Sequence, residues 1–205
     1  MMFDFKLWTI LFLCFVISFC ASVSLGNSNK DIFVKGLASP AWACELTFAG
    51  RSMQCSLGKN GVAPEGKKVE GDGFTPTGSF QLRRAFFRAD RISRPSTGAL
   101  QNVTSVLHPS DGWCDDPSSP EYNTYLKLPS PYHHETLWEV NESFYDLFAV
   151  IGYNDDPVVA YKGSAIFFHT TQNYGSTAGC IALSLNDLQW VLERIEINTF
   201  MHITG

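Results

Sequence analysis

The chain has 205 residues, of which 45% are hydrophobic and 17% charged, and a formal net charge of -5. That length sets a prior of one domain with ample chain for a core, and the composition is globular rather than disordered. The acidic balance excludes the basic footprint of a nucleic-acid binder.

The first residues read as a leader. The amino terminus and Lys6 give a weak positive start against Asp4, Leu7 to Phe19 is almost continuously apolar, and Ser22, Ser24 and Gly26 offer small residues for cleavage. This is the pattern of a secretory signal peptide over residues 1–26, with an uncleaved anchor as the alternative. The apolar run falls short of the about 20 residues that a bilayer span needs. Phe19 before Cys20 is too large for a lipoprotein site. The expectation is an exported domain over residues 27–205, with any membrane tether confined to the leader.

Export permits disulfides. Cys44 to Phe48, Ala49-Gly50 and Arg51 to Cys55 read as a hairpin whose two-residue turn sets Cys44 opposite Cys55. A disulfide and a pair of opposed buried thiols both fit that register. Short apolar stretches broken by Gly, Pro and Asn then continue to Phe80, and Gly78 to Phe87 reads as a half-buried strand. Arg83, Arg84, Arg88, Arg91 and Arg94 read as a solvated face beside Asp90 rather than a binding patch. Ser93 to Pro131, rich in Pro, Ser, Asp and Asn, reads as long loops carrying Trp113, Tyr122 and Tyr125. Tyr145 to Tyr153 and Ala165 to Phe168 are apolar runs of strand length, and His169 ends the second. Ser184 with Asp187 makes a capping pair, and Leu185, Leu188, Val191, Leu192 and Ile195 recur at helical spacing. Thr199 to Ile203 suits a last strand. The pattern is mostly β with one helix.

Cys180 is the residue with the most to say about chemistry. It sits in Ser176-Thr177-Ala178-Gly179-Cys180-Ile181-Ala182-Leu183, behind His169. A thiol becomes a strong nucleophile as thiolate, and a neighbouring imidazole produces one. Gly179 lets the backbone approach closely, and amides around Gly179 and Cys180 suit an oxyanion. The plain alternative is a packed thiol beside a turn glycine. His133-His134-Glu135 invites a metal, but adjacent histidines on an extended segment point to opposite faces and no H-x-x-x-H spacing exists. Asp115-Asp116 and Asp155-Asp156 each precede a proline, so they read as turn formers. The reading assigns no metal and no cofactor.

Further blocks accompany the His169 and Thr177-Ala178-Gly179-Cys180 pair. They are Cys55-Ser56-Leu57-Gly58-Lys59-Asn60-Gly61, the Thr75-Pro76-Thr77-Gly78-Ser79-Phe80 run, Gly112-Trp113-Cys114-Asp115-Asp116-Pro117, Tyr122-Asn123, Ile151-Gly152-Tyr153-Asn154-Asp155 and Gly163 to His169. In this order they resemble the L,D-transpeptidase (YkuD-type) catalytic domain, and more closely a bacterial branch with a Gly-Cys-x-Ala-Leu motif. The resemblance covers nearly all of the chain after the leader.

The resemblance implies a mostly-β, sandwich-like or barrel-like domain with one helix after the nucleophile. It implies Cys180 as nucleophile and His169 as base. The implied partner is the peptidoglycan stem peptide: attack on a meso-diaminopimelate carbonyl, loss of D-alanine, a thioester on Cys180, then capture by an amine. Capture by water would make an L,D-carboxypeptidase, and a wall-binding module without catalysis is a further alternative. Many family members have His where this chain has Ala178, and Arg where it has Ala182. Trp113, Asp115, Tyr122 and Asn123 are expected to wall the cleft, Tyr153 and Asn154 to approach before His169, and Thr170 and Thr177 to contact substrate. The competing expectation for the Trp113 segment is that it caps a sheet edge.

Overall fold

A computed structural model describes residues 30–138 and 140–205. The expected leader, with Cys14 and Cys20, lies outside the described residues. The strands in chain order are β1 (Ile32–Gly36), β2 (Ala43–Phe48), β3 (Arg51–Ser56), β4 (Gly78–Phe87), β5 (Thr104–Val106), β6 (Asp111–Cys114), β7 (Tyr125–Lys127), β8 (His134–Thr136), β9 (Leu147–Ile151), β10 (Phe167–Thr170), β11 (Ile181–Leu183) and β12 (Phe200–Thr204). Helix α1 (Leu185–Arg194) follows β11, and a 3-10 turn spans Gly98–Val103.

The β2–β3 hairpin forms as its sequence directs. Ala49 and Gly50 take φ of 47° and 77°, the left-handed pair that a tight turn needs, and Cys44 faces Cys55. The two thiols are joined in a disulfide with Cα atoms 4.9 Å apart, which decides between the two alternatives. Cys114 stays a buried free thiol.

The main sheet runs β12-β1-β2-β3-β11-β10-β9-β4, and β4 pairs back onto β12, which closes a barrel. β1 and β12 run parallel, with Ile32 opposite Met201, and β5 attaches to β4. Ser184 caps α1 by accepting the Asp187 amide, and its hydroxyl donates to the Asp187 carboxylate. Leu188, Val191 and Leu192 on the helix join Ile32, Leu46, Phe87, Phe168 and Ile181 in one core.

A second core lies on the opposite face of β4, β9 and β10. Phe86, Phe148, Val150 and Phe167 meet Trp113, Leu137, Tyr145 and Cys180 there. β9 and β10 are therefore buried on both faces, which is why their sequences are continuous apolar runs instead of alternating ones. The cover over part of this face is a three-stranded sheet, β7-β6-β8. Here the long-loop reading of Ser93 to Pro131 is corrected. The span holds a 3-10 turn and three short strands, each of three or four residues. Such strands carry too few residues to show a period, and their pairing is dictated by the barrel beneath them.

The arginines do not form one patch. Arg83 pairs with Asp155 at 2.6 Å, Arg88 with Asp90 at 2.8 Å and Arg91 with Asp146 at 2.7 Å.

Gly58 ties the barrel to the loop beside Cys180. Its amide donates to Thr75 Oγ1 at 2.8 Å, while its neighbours pair with Thr177. A Cβ on Gly58 would stand 2.4 Å from the Gly73 carbonyl oxygen, which is backbone and cannot swing aside. Gly58→Ala is expected to cost about 1–3 kcal/mol, read as a lower melting temperature.

Candidate active site

β10 and β11 are parallel neighbours, with His169 opposite Ala182. Cys180 precedes Ala182 by two residues and His169 follows Phe167 by two. Side chains two apart share a face of a strand, so imidazole and thiol are diagonal neighbours on the outer face of the barrel wall. The Phe167 amide donates to Cys180 Sγ at 3.3 Å, and the thiol donates to the Ala165 carbonyl at 3.3 Å. Phe144 and Tyr145 stand edge-on to the His169 ring, at 6.0 and 5.7 Å between centroids.

Cys180 is buried, at 7% exposed. Its sulfur lies between the Phe167 amide and the Ala165 carbonyl, in the second core. Burial, and then the charge of Glu135, push its thiol up to about 12. Burial pushes the His169 imidazole down to about 4, with a bond to the Thr170 carbonyl working the other way. Both groups are uncharged at neutral pH. His169 Nδ1 lies 2.8 Å from that carbonyl oxygen, which only accepts, so Nδ1 carries the proton and Nε2 holds the lone pair.

Cys180 and His169 line a cleft of about 800 Å³ with Lys68, Glu70, Asp115 and Glu135. Lys68 is buried and bonds Asp72 at 2.7 Å. Glu70 accepts from the Tyr122 hydroxyl and, at 2.7 Å, from Ser164 Oγ. Among the described residues no group of three or more His, Cys, Asp or Glu could hold a metal.

Gly179 brings the Cys180 loop against Phe74: a Cβ there would lie 3.0 Å from the Phe74 carbonyl oxygen. The Gly179 amide donates to Thr177 Oγ1 at 3.1 Å, and that hydroxyl donates to the Cys180 carbonyl at 2.7 Å. Thr177 and Asp115 line the cleft, and Asp115 bonds His133 at 2.5 Å.

The other expected contacts are not in the cleft lining. Trp113 is buried in β6, 5.1 Å from the Phe167 ring, and its indole donates to Asn123 Oδ1 at 3.0 Å. Asn123 also accepts from the Ala165 amide at 3.1 Å and donates to the carbonyls of Tyr153 and Asn154. Tyr122 reaches the cleft only through Glu70. Tyr153 packs on Phe80, and its hydroxyl donates to the Lys162 carbonyl at 2.5 Å. Asn154 closes the turn to Val159 and Gly163. Thr170 is buried, bonded to the carbonyls of Ser143 and Phe144. Trp113 packs on Phe167 and Asn123 holds the Ala165 amide, so these two support the backbone groups that contact the sulfur. Sequence reasoning missed Lys68, Glu70, Glu135 and Tyr145, since no spacing ties a lone charge to a cysteine far along the chain.

Trp113→Ala tests that support. It is expected to lose about 3–5 kcal/mol, lowering the melting temperature by roughly 10 °C, with the KM of the folded fraction unchanged. A weaker KM at an unchanged melting temperature would put Trp113 in the cleft.

The model of the YkuD family, described as the L,D-transpeptidase catalytic domain, matches residues 46–203. The chain belongs to this family. The matched span holds Cys180, His169 and every other residue expected at the site. No curated protein matches the chain. Among solved structures, Mycobacterium tuberculosis L,D-transpeptidase 1 is 14% identical, covers 85% of this chain and 62% of its own, and has a TM-score of 0.36. The L,D-transpeptidase from Mycobacterium smegmatis is 12% identical, covers 85% of this chain and 59% of its own, also at 0.36. The chain thus spans about three fifths of the length of these two solved proteins.

Proposed function

We propose that this chain transfers an acyl group of a peptidoglycan stem peptide through a thioester on Cys180, with His169 as base. The observation that carries the reading is the imidazole tautomer. Nδ1 is committed to the Thr170 carbonyl, which leaves the Nε2 lone pair on the face and in the cleft that the thiol shares.

Because thiol and imidazole are both neutral, the proton moves from Sγ to Nε2 as sulfur bonds the substrate carbonyl carbon. The carbonyl electrons move to oxygen, toward amides around Gly179 and Cys180. The Gly179 amide exchanges the Thr177 hydroxyl for this oxyanion. The imidazolium then gives its proton to the D-alanine nitrogen, the C–N bond breaks, and the acyl group of meso-diaminopimelate stays on sulfur. An incoming amine makes a cross-link, and water makes a trimmed stem.

The run Gly179-Cys180-Ile181-Ala182-Leu183 supports a bacterial branch of the family. The apolar leader over residues 1–26 and the Cys44–Cys55 disulfide support export to an oxidising compartment, at the periplasm or wall. The test is mass analysis of tetrapeptide-stem wall fragments incubated with the protein. Release of D-alanine with an acyl mass on Cys180 is expected. Unchanged fragments with an unmodified protein reject the reading.

A further inference from the structure

Glu135 lines the cleft with Cys180 and His169, and the reaction as derived gives it no task. It is the middle residue of β8, opposite Trp113 in the β6–β8 ladder, so its backbone is fixed. Its carboxylate accepts from the Tyr145 hydroxyl. The Tyr145 ring stands 5.7 Å from the His169 ring and 5.8 Å from that of Phe167, whose amide holds the sulfur. Glu135 is thus clamped to the framework that carries base and nucleophile.

Its charge works against the nucleophile, being second only to burial in pushing the Cys180 thiol up. A fixed anion at this place hinders thiolate formation and suits a cation that the reaction brings into the cleft. The second half-reaction brings one: an acceptor amine arrives as ammonium and must lose a proton before it attacks.

We propose that the Glu135 carboxylate binds the ammonium group of the acyl acceptor and takes its proton, so that the cleft selects an amine over water. This rests on the acyl-transfer reading above. In the step, the ammonium nitrogen gives one proton to Glu135 and its freed electron pair forms a C–N bond to the thioester carbon. The C–S bond breaks and its electrons return to sulfur. The second proton passes from nitrogen to sulfur by way of His169, and Glu135 releases its proton to solvent. The product is an amide and a free thiol.

The test uses the full chain in detergent, a tetrapeptide-stem fragment as donor, and a second stem fragment with a free side-chain amine as acceptor. Intact-protein mass reads the thioester, and product mass reads cross-linked against hydrolysed stems. Glu135→Gln keeps the shape and the Tyr145 bond and removes the charge. With the charge that opposes thiolate formation removed, it is expected to acylate Cys180 at least as fast as the parent, while the ratio of cross-link to hydrolysis falls about tenfold or more and the KM for the acceptor rises. Tyr145→Phe, which removes one hydrogen bond to the carboxylate without neutralising it, is expected to lower the ratio less. An unchanged ratio in Glu135→Gln overturns the proposal, and so does an equal loss of acylation and cross-linking. No thioester on the parent protein rejects acyl transfer itself, a separate failure.

Discussion

Replacing Cys180 with alanine is expected to cut acyl transfer at least about a thousandfold while the fold persists. The change removes one atom from a buried site and leaves the Phe167 amide without its sulfur partner, a cost of about 1 kcal/mol. A melting temperature within a few degrees of the parent, with no thioester and no D-alanine release, is the expected result. Cys114→Ala is the matched control, since Cys114 is also a buried free thiol but is not part of the cleft lining. Retained turnover in Cys180→Ala would end the cysteine mechanism. The burial of Cys180 also implies slow labelling by thiol reagents at neutral pH, accelerating as pH rises toward the thiol's value of about 12.

His169→Gln is expected to lower turnover by about 10²–10⁴-fold and to change the pH dependence of stability. The imidazole sits at about 4 in the folded protein against 6.5 when free. Between those values the unfolded chain binds a proton that the folded one refuses, so stability falls as pH drops from 6.5 toward 4. The full difference corresponds to roughly 3 kcal/mol. Asp72 and Asp111 are held below 3.8, so their contributions are lost only at lower pH. His133, raised by Asp115, acts in the opposite sense, its contribution fading as pH rises. Melting curves from pH 7 to 4 should therefore fall steeply in the parent and flatten in His169→Gln. Equal slopes would show that His169 is not buried in its neutral form.

Local signals in the sequence were sufficient for several elements. The Ala49-Gly50 turn fixed a register that set two cysteines face to face, because a two-residue turn leaves no freedom in pairing. Ser184 and Asp187 marked the start of α1 for an equally local reason, since a cap satisfies its own first amides. The apolar runs before Tyr153 and His169 announced strands, and the blocks around Cys180 and His169 carried the family resemblance.

What the sequence by itself determined was chemistry bound to short stretches: a hairpin, a capped helix, a strand ending near a histidine, and a cysteine behind a glycine. Only the tertiary structure decided that the barrel closes through β4 and β12, far apart in the chain, and that β6, β7 and β8 are strands. It also decided that Trp113, Tyr122 and Asn123 stand outside the cleft lining while Lys68, Glu70 and Glu135 stand in it. Long-range pairing leaves no trace in local spacing, because the partner that satisfies a short strand lies elsewhere in the chain. The same reason governs the two protonation states at the site. Residue types name a thiol and an imidazole, but burial between two layers sets one near 12 and the other near 4.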